Sequence, residues 1–256
     1  MRPLHGRTIL VTRSADQAGG LADSLRQMGA RVIEVPVIDF AEPEDWSPAD
    51  ASMSRIAQYD FVIFTSANAV DRFARRMIDR GASWPTAAKP RVIAIGPATG
   101  RALAERGIAI GKTASDSRAE GVIAALSDEP VAGASVLIPR AEVAREVLAE
   151  SLRARGAHVE VVTIYRTIAL PVTAEARQLI FDRGVDVVTF TSASTVRNLL
   201  ASIGGPGSLE GVEIAVIGPV TARAAAEAGL TPTIVSPGVE METFARAIAG
   251  HYSGAR

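Results

Sequence analysis

Apolar residues along this chain follow two rhythms. Short continuous runs rich in β-branched residues, TILV (8–11), VIEV (32–35), FVIF (61–64) and VIAI (92–95), each close on Gly, Pro, Ser or Thr. Runs of that length without polar alternation predict strands buried on both faces. Between them, GLADSLRQMG (20–29) and RALAERG (101–107) carry apolar residues at helical spacing and end on glycine, the pattern of amphipathic helices with a left-handed stop. Strands and helices that alternate in this way predict a parallel sheet covered by helices on both faces. Two stretches interrupt the rhythm, AEPEDWSPAD (41–50) and SDEPVAGAS (127–135); their acidic, Pro- and Gly-containing character predicts connections.

The pattern is written twice. FTSANAV (Phe64 to Val70) returns as FTSASTV (Phe190 to Val196), and the segment from Arg7 to Ile38 matches Ala134 to Tyr165, pairing Arg13 with Arg140, Leu25 with Leu152 and Gly29 with Gly156. RVIAIGPATGRALAERGI (91–108) then matches EIAVIGPVTARAAAEAGL (213–230). Three matches in one order mean an internal duplication, and the fold they predict is two flavodoxin-like doubly wound parallel-sheet domains. One position breaks the symmetry: Tyr165 stands where the first copy has Ile38.

In a doubly wound sheet, ligands sit beyond the carboxyl ends of the strands, where helix N-termini present unpaired N–H groups. Three junctions of this kind recur: VTRS and IPRA, FTSANAV and FTSASTV, IGPATG and IGPVTA. The ordinary reading of each Ser or Thr is an N-cap, and of Arg13 and Arg140 a solvated charge. Doubled junctions on matched edges point further, to carboxylate or phosphate held by backbone N–H groups and helix dipoles. No G-x-G-x-x-G and no P-loop lysine pattern occurs, which argues against a dinucleotide or nucleotide phosphate site.

Composition narrows the class. The 256 residues are 48% hydrophobic, enough for a substantial core, and carry Lys+Arg 27 against Asp+Glu 28, a formal charge of −1. No global field draws this chain to nucleic acid or an anionic membrane. It has no cysteine and three histidines, His5, His158 and His251, so disulfides, a thiol nucleophile and a zinc set are not expected. The apolar runs are too short to span a bilayer and the N-terminus lacks a signal-peptide core; the expectation is a cytoplasmic protein.

The ordered set ILVTR, VIFTSANAV, VIAIGPATG, VVTIYRT, VVTFTSAS and IAVIGPVTARAAAEAGL, from about Thr8 to Phe244, resembles the uroporphyrinogen-III synthase family. That resemblance implies a cofactor-free and metal-free lyase of tetrapyrrole (haem, sirohaem, cobalamin or chlorophyll) biosynthesis. Its substrate would be the linear polycarboxylate hydroxymethylbilane, closed with loss of water and inversion of ring D through a spirocyclic pyrrolenine. It implies a discontinuous domain of residues 1–35 and 169–256, a second domain of 41–163, and crossing strands at 36–40 and 164–168, with a cleft between the domains. Sequence alone leaves open two contiguous halves joined near Pro130. The resemblance also implies Tyr165 as the catalytic donor to the leaving hydroxyl and Ser66, Thr99, Ser192 and Thr221 as cleft residues; the doubled junctions add Thr12, Arg13, Thr65, Ala67, Arg140, Ala193 and Ser194 as expected substrate-binding residues, the strand-end arginines suiting a bidentate carboxylate contact. A monomer is expected. The competing reading from another class is a non-catalytic two-domain binding or sensor protein that clamps an anionic ligand.

Overall fold

The computed structural model describes all residues except 1, 86–88, 115–120, 122, 124, 125, 128 and 254–256; within α-helix 15–27, the side chains of 15–18 are also left aside. Asp128, in one of the expected connections, lies outside the described residues. Eleven strands are described: β1 (Thr8–Val11), β2 (Arg31–Glu34), β3 (Ile38–Ala41), β4 (Phe61–Phe64), β5 (Arg91–Ile95), β6 (Lys112–Ala114), β7 (Ser135–Ala141), β8 (His158–Ala169), β9 (Val187–Phe190), β10 (Glu213–Val216) and β11 (Ile234–Val235). The described helices are α1 (Ala15–Gln27), α2 (Ser47–Ser54), α3 (Ala67–Asp79), α4 (Gly96–Glu105), α5 (Val147–Ala154), α6 (Ala174–Phe181), α7 (Ala193–Ile203), α8 (Pro219–Glu227) and α9 (Met241–Ser253). None of them is long and apolar enough to cross a membrane.

Contacts divide the chain into two compact units, Met1–Phe40 with Ile168–Arg256, and Ala41–Thr167. In the first, the strand order is β11-β10-β9-β1-β2, with parallel ladders throughout. In chain order within the unit this is 5-4-3-1-2, the flavodoxin-like winding, with its switch point between β1 and β9. Side chains alternate across that sheet. Leu10, Val188, Phe190, Ile214 and Val216 pack with Ile180, Leu199, Ile203 and Ala225 of α6, α7 and α8. Ile9, Val11, Val187 and Ala215 pack with Leu21, Leu25, Phe244 and Ile248 of α1 and α9. Both faces are thus buried, which is why these strands show no polar alternation.

The second sheet has the order β3-β8-β7-β4-β5-β6; by contacts most of β3 belongs to the first unit, and β4 to β8 belong almost wholly to the second. Its ladders β8-β7, β7-β4, β4-β5 and β5-β6 are parallel. Apart from β3 it repeats the winding of the first unit, with the switch point between β7 and β4. Phe61, Ile63, Ile93, Val136 and Ile138 pack with Leu148 and Leu152 of α5, while Phe64 meets Phe73 of α3 edge-on, their centroids 5.5 Å apart.

The duplication carries a further matched device at the opposite strand ends. Asp60 accepts the Ser135 N–H at 2.9 Å, and Asp186, its counterpart in the other copy, accepts the Thr8 N–H at 2.8 Å. Each carboxylate thereby ties the start of a neighbouring strand, and each is ion-paired, to Lys89 and to Arg7 respectively.

Two expectations change. AEPEDWSPAD is not simply a connection: its last residues begin α2, where Pro48 occupies the first turn and the Asp45 carboxylate takes the Ser47 N–H at 2.8 Å. A proline in the first turn of a helix loses no hydrogen bond. The junction after Arg140 also departs from its copy. α1 follows Arg13 almost at once, whereas α5 begins only at Val147. Arg140 itself holds the intervening loop, donating to the Arg145 carbonyl at 3.1 Å and pairing with Glu146.

Candidate active site

The doubled phrase has one geometry in both copies. Ser66 is the N-cap of α3 (φ −160°, ψ 156°) and accepts the Ala69 N–H at 3.1 Å. Ser192 is the N-cap of α7 (φ −161°, ψ 162°) and accepts the Thr195 N–H at 3.2 Å, with Thr195 returning the contact as a capping box. The ordinary use of these serines is therefore real. It spends one acceptor of each hydroxyl on a first-turn N–H. Thr65 and Ala67 in one copy, Ala193 and Ser194 in the other, are half-buried beside the caps, and Ser194 Oγ lies 2.9 Å from Ser192 Oγ.

In the second unit, Tyr165 joins this edge. Strand β8 runs in register with β7 as far as Arg140 opposite Thr163, and then Ala141 faces Tyr165, so β8 holds one extra residue, Ile164. A register shift of this kind re-aims a side chain, and Ile164 and Tyr165 are buried consecutively. The Tyr165 hydroxyl lies 3.3 Å from Ser66 Oγ, and the Tyr165 carbonyl accepts the Glu142 N–H at 2.9 Å. Arg72 of α3 places its guanidinium carbon 5.9 Å from the tyrosine ring centroid. Burial pushes the Tyr165 phenol above its ordinary value, opposed by the Ser66 hydrogen bond and the Arg72 charge, so at neutral pH it carries its proton. Thr99 is buried within the first turns of α4. Arg140 keeps 9% of its surface and is engaged as described above.

The first unit offers the same edge without a tyrosine. Thr12 is wholly buried and donates to the Thr189 carbonyl at 2.6 Å, while Thr189 donates to the Leu10 carbonyl at 3.1 Å. Its hydroxyl pins β1 to β9 rather than facing outward. Arg13 packs its guanidinium against Met241, and burial pulls its pKa down. Thr221 is buried in the first turn of α8. Sequence reasoning passed over Ser14, the residue before α1. It does not cap its helix, and its Oγ is buried with no hydrogen-bond partner among the described residues. Arg72 was also passed over; the visible signal was that the other copy has Asn198 in its place. Among the described residues, no three His, Cys, Asp or Glu side chains gather as a metal site would require.

Two parallel doubly wound units, each with capped helix N-termini on its carboxyl edge and one with a buried phenol there, define a class of two-domain α/β protein. The model for "Uroporphyrinogen-III synthase HemD" matches residues 20–246, and the chain belongs to the uroporphyrinogen-III synthase family. A uroporphyrinogen-III synthase of Synechococcus elongatus is 35% identical over 229 residues, 86% of either chain, and one of Chlorobaculum parvum is 26% identical over 95% of this chain and 98% of that protein. Among solved structures, a mutant uroporphyrinogen III synthase of Thermus thermophilus superposes with TM-score 0.69 at 17% identity, covering 98% of this chain and all of that one. The Helicobacter pylori enzyme gives 0.63 at 16%, over 96% and 99%.

Proposed function

We propose that this chain converts hydroxymethylbilane to uroporphyrinogen III, expelling the terminal hydroxyl as water and closing the ring with ring D inverted. The observation that carries the site assignment is the buried Tyr165 phenol, 3.3 Å from the hydroxyl that caps α3. Tyr165 donates to the departing hydroxyl, and an azafulvene cation remains on the pyrrole that carried it. The pyrroles supply most of the reactivity, and the protein's main contribution is to hold the chain in the geometry that leads through the spirocyclic intermediate. The proton released when the macrocycle regains aromatic pyrroles restores the phenol.

First-turn N–H groups such as those of α3, α4, α7 and α8 suit the acetate and propionate groups of the substrate. Ser14 supports the same use of α1: an uncapped N-terminus beside a buried hydroxyl without a partner among the described residues suits an incoming acceptor oxygen. Thr12, Thr99 and Thr221 are buried at these junctions, while Arg13 packs against Met241 and Arg140 holds the loop before α5. No metal or cofactor enters the reaction.

The test is incubation with freshly generated hydroxymethylbilane, with the type I and type III isomers resolved. Spontaneous closure gives type I, so type III product identifies the activity. Tyr165→Phe keeps the ring and removes the donor; the folded variant is expected to lose at least about tenfold in type III formation. Wild-type turnover in that variant would reduce Tyr165 to packing.

A further inference from the structure

The duplication supplies an internal control for Tyr165. In the first unit, Asn198 of α7 donates its amide to the Val37 carbonyl at 3.1 Å, touching the crossing segment one residue before Ile38. In the second unit the equivalent helix position is Arg72, and the equivalent strand position to Ile38 is Tyr165. The same helix site thus contacts the same crossing segment in both copies, and both partners changed together where the phenol stands.

We propose that Arg72 is a positioning residue for the reaction, holding the Tyr165 ring with its guanidinium while Ser66 holds the hydroxyl, so that the donor stays aimed. The inference rests on the donor reading of Tyr165. Ser66 and Arg72 are six residues apart on one helix, about 9 Å along its axis, so the tyrosine is gripped along the first two turns of α3. The 5.9 Å separation lies within the reach of a cation over an aromatic face. A cation beside a phenol favours its ionised form, which opposes the burial of Tyr165 and makes it a stronger donor to a departing hydroxide. The other charged groups around Tyr165 do not replace it. Arg140 pairs with Glu146, Arg166 pairs with Glu44, and Glu142 contributes its backbone N–H.

The experiment is a double-mutant cycle on the full chain, reading kcat and KM for type III formation in folded variants. Arg72→Asn, the residue of the other copy, is expected to lower kcat about three- to tenfold with KM within about a factor of two of wild type. Arg72→Lys should recover most of the loss. In the Tyr165→Phe background, Arg72→Asn should cost nothing more, because the group it acts through is gone. A full Arg72→Asn effect in that background, a KM increase at constant kcat, or wild-type kcat in Arg72→Asn while Tyr165→Phe is impaired, would each overturn the role of Arg72 and leave the donor reading standing. Wild-type turnover in Tyr165→Phe would remove the donor reading, and this inference with it.

Discussion

Single residues here carry two kinds of work, at opposite ends of the same strands. At the carboxyl ends, Ser66 and Tyr165 form a polar pair, 3.3 Å apart, to which the proposed function assigns the chemistry. At the amino ends, Asp60 and Asp186 join strands whose sequence separation is 75 and 178 residues. Asp60 is the better probe of stability. Its carboxyl is held below its ordinary value chiefly by Lys89, and also by the Ser135 N–H. A depressed folded value means that the stabilisation is present above the unfolded carboxylate value, about 4, and is lost as pH falls through the folded one. Asp60→Asn is expected to cost roughly 1–2 kcal/mol at neutral pH. In urea titrations the gap between variant and wild type should narrow below about pH 4; a gap independent of pH would mean that the charge is not what matters.

At the level of elements, the two copies share a sequence pattern but solve the third junction differently. α4 begins on Gly96, whose φ is 77°, whereas α8 is preceded by Gly218 in extended backbone with φ 169°. Only the first conformation demands glycine. Gly96→Ala should therefore destabilise by about 1–2 kcal/mol. Gly218→Ala, with no atom within 4 Å of the new methyl, should stay within about 0.5 kcal/mol. Equal losses in chemical denaturation would contradict this contrast. The element boundaries were mostly legible because helix stops and strand ends are local: Gly29 and Gly107 stand just past α1 and α4 at positive φ. The late start of α5 was not legible, because Arg140 reaches forward to Glu146 and the Arg145 carbonyl, a contact that no spacing announces.

For the whole molecule, the two units have separate cores, and the second is contiguous from Ala41 to Thr167. A fragment of residues 41–167 retains the order β8-β7-β4-β5-β6 and every buried residue of the cluster centred on Ile63 and Ile138. It is expected to fold alone, with a single cooperative thermal transition and an α/β circular dichroism spectrum. A fragment that stays unfolded would show that the second core depends on the rest of the chain. With a net charge of −1, the chain as a whole offers no net positive field for a polyanionic substrate. In the proposed function, directional backbone donors at helix ends meet that need, and their strength comes from geometry rather than from net charge.

What the sequence determined by itself was whatever is local or repeated: continuous apolar strands, caps and glycine stops, the duplication, and through the ordered motifs the family. Those signals survive in one dimension because each depends on neighbours within a few residues, or on comparing one copy with the other. Only the tertiary structure decided which of the marked residues face outward. Thr12 looks like its neighbours in sequence but turns inward to Thr189, because β1 and β9 are adjacent only in the folded sheet. Tyr165 reaches Ser66 because one extra residue in β8 shifts its register against β7. Strand pairing across long separations sets these contacts, and a linear pattern does not encode which strand lies next to which, or where a ladder slips by one residue.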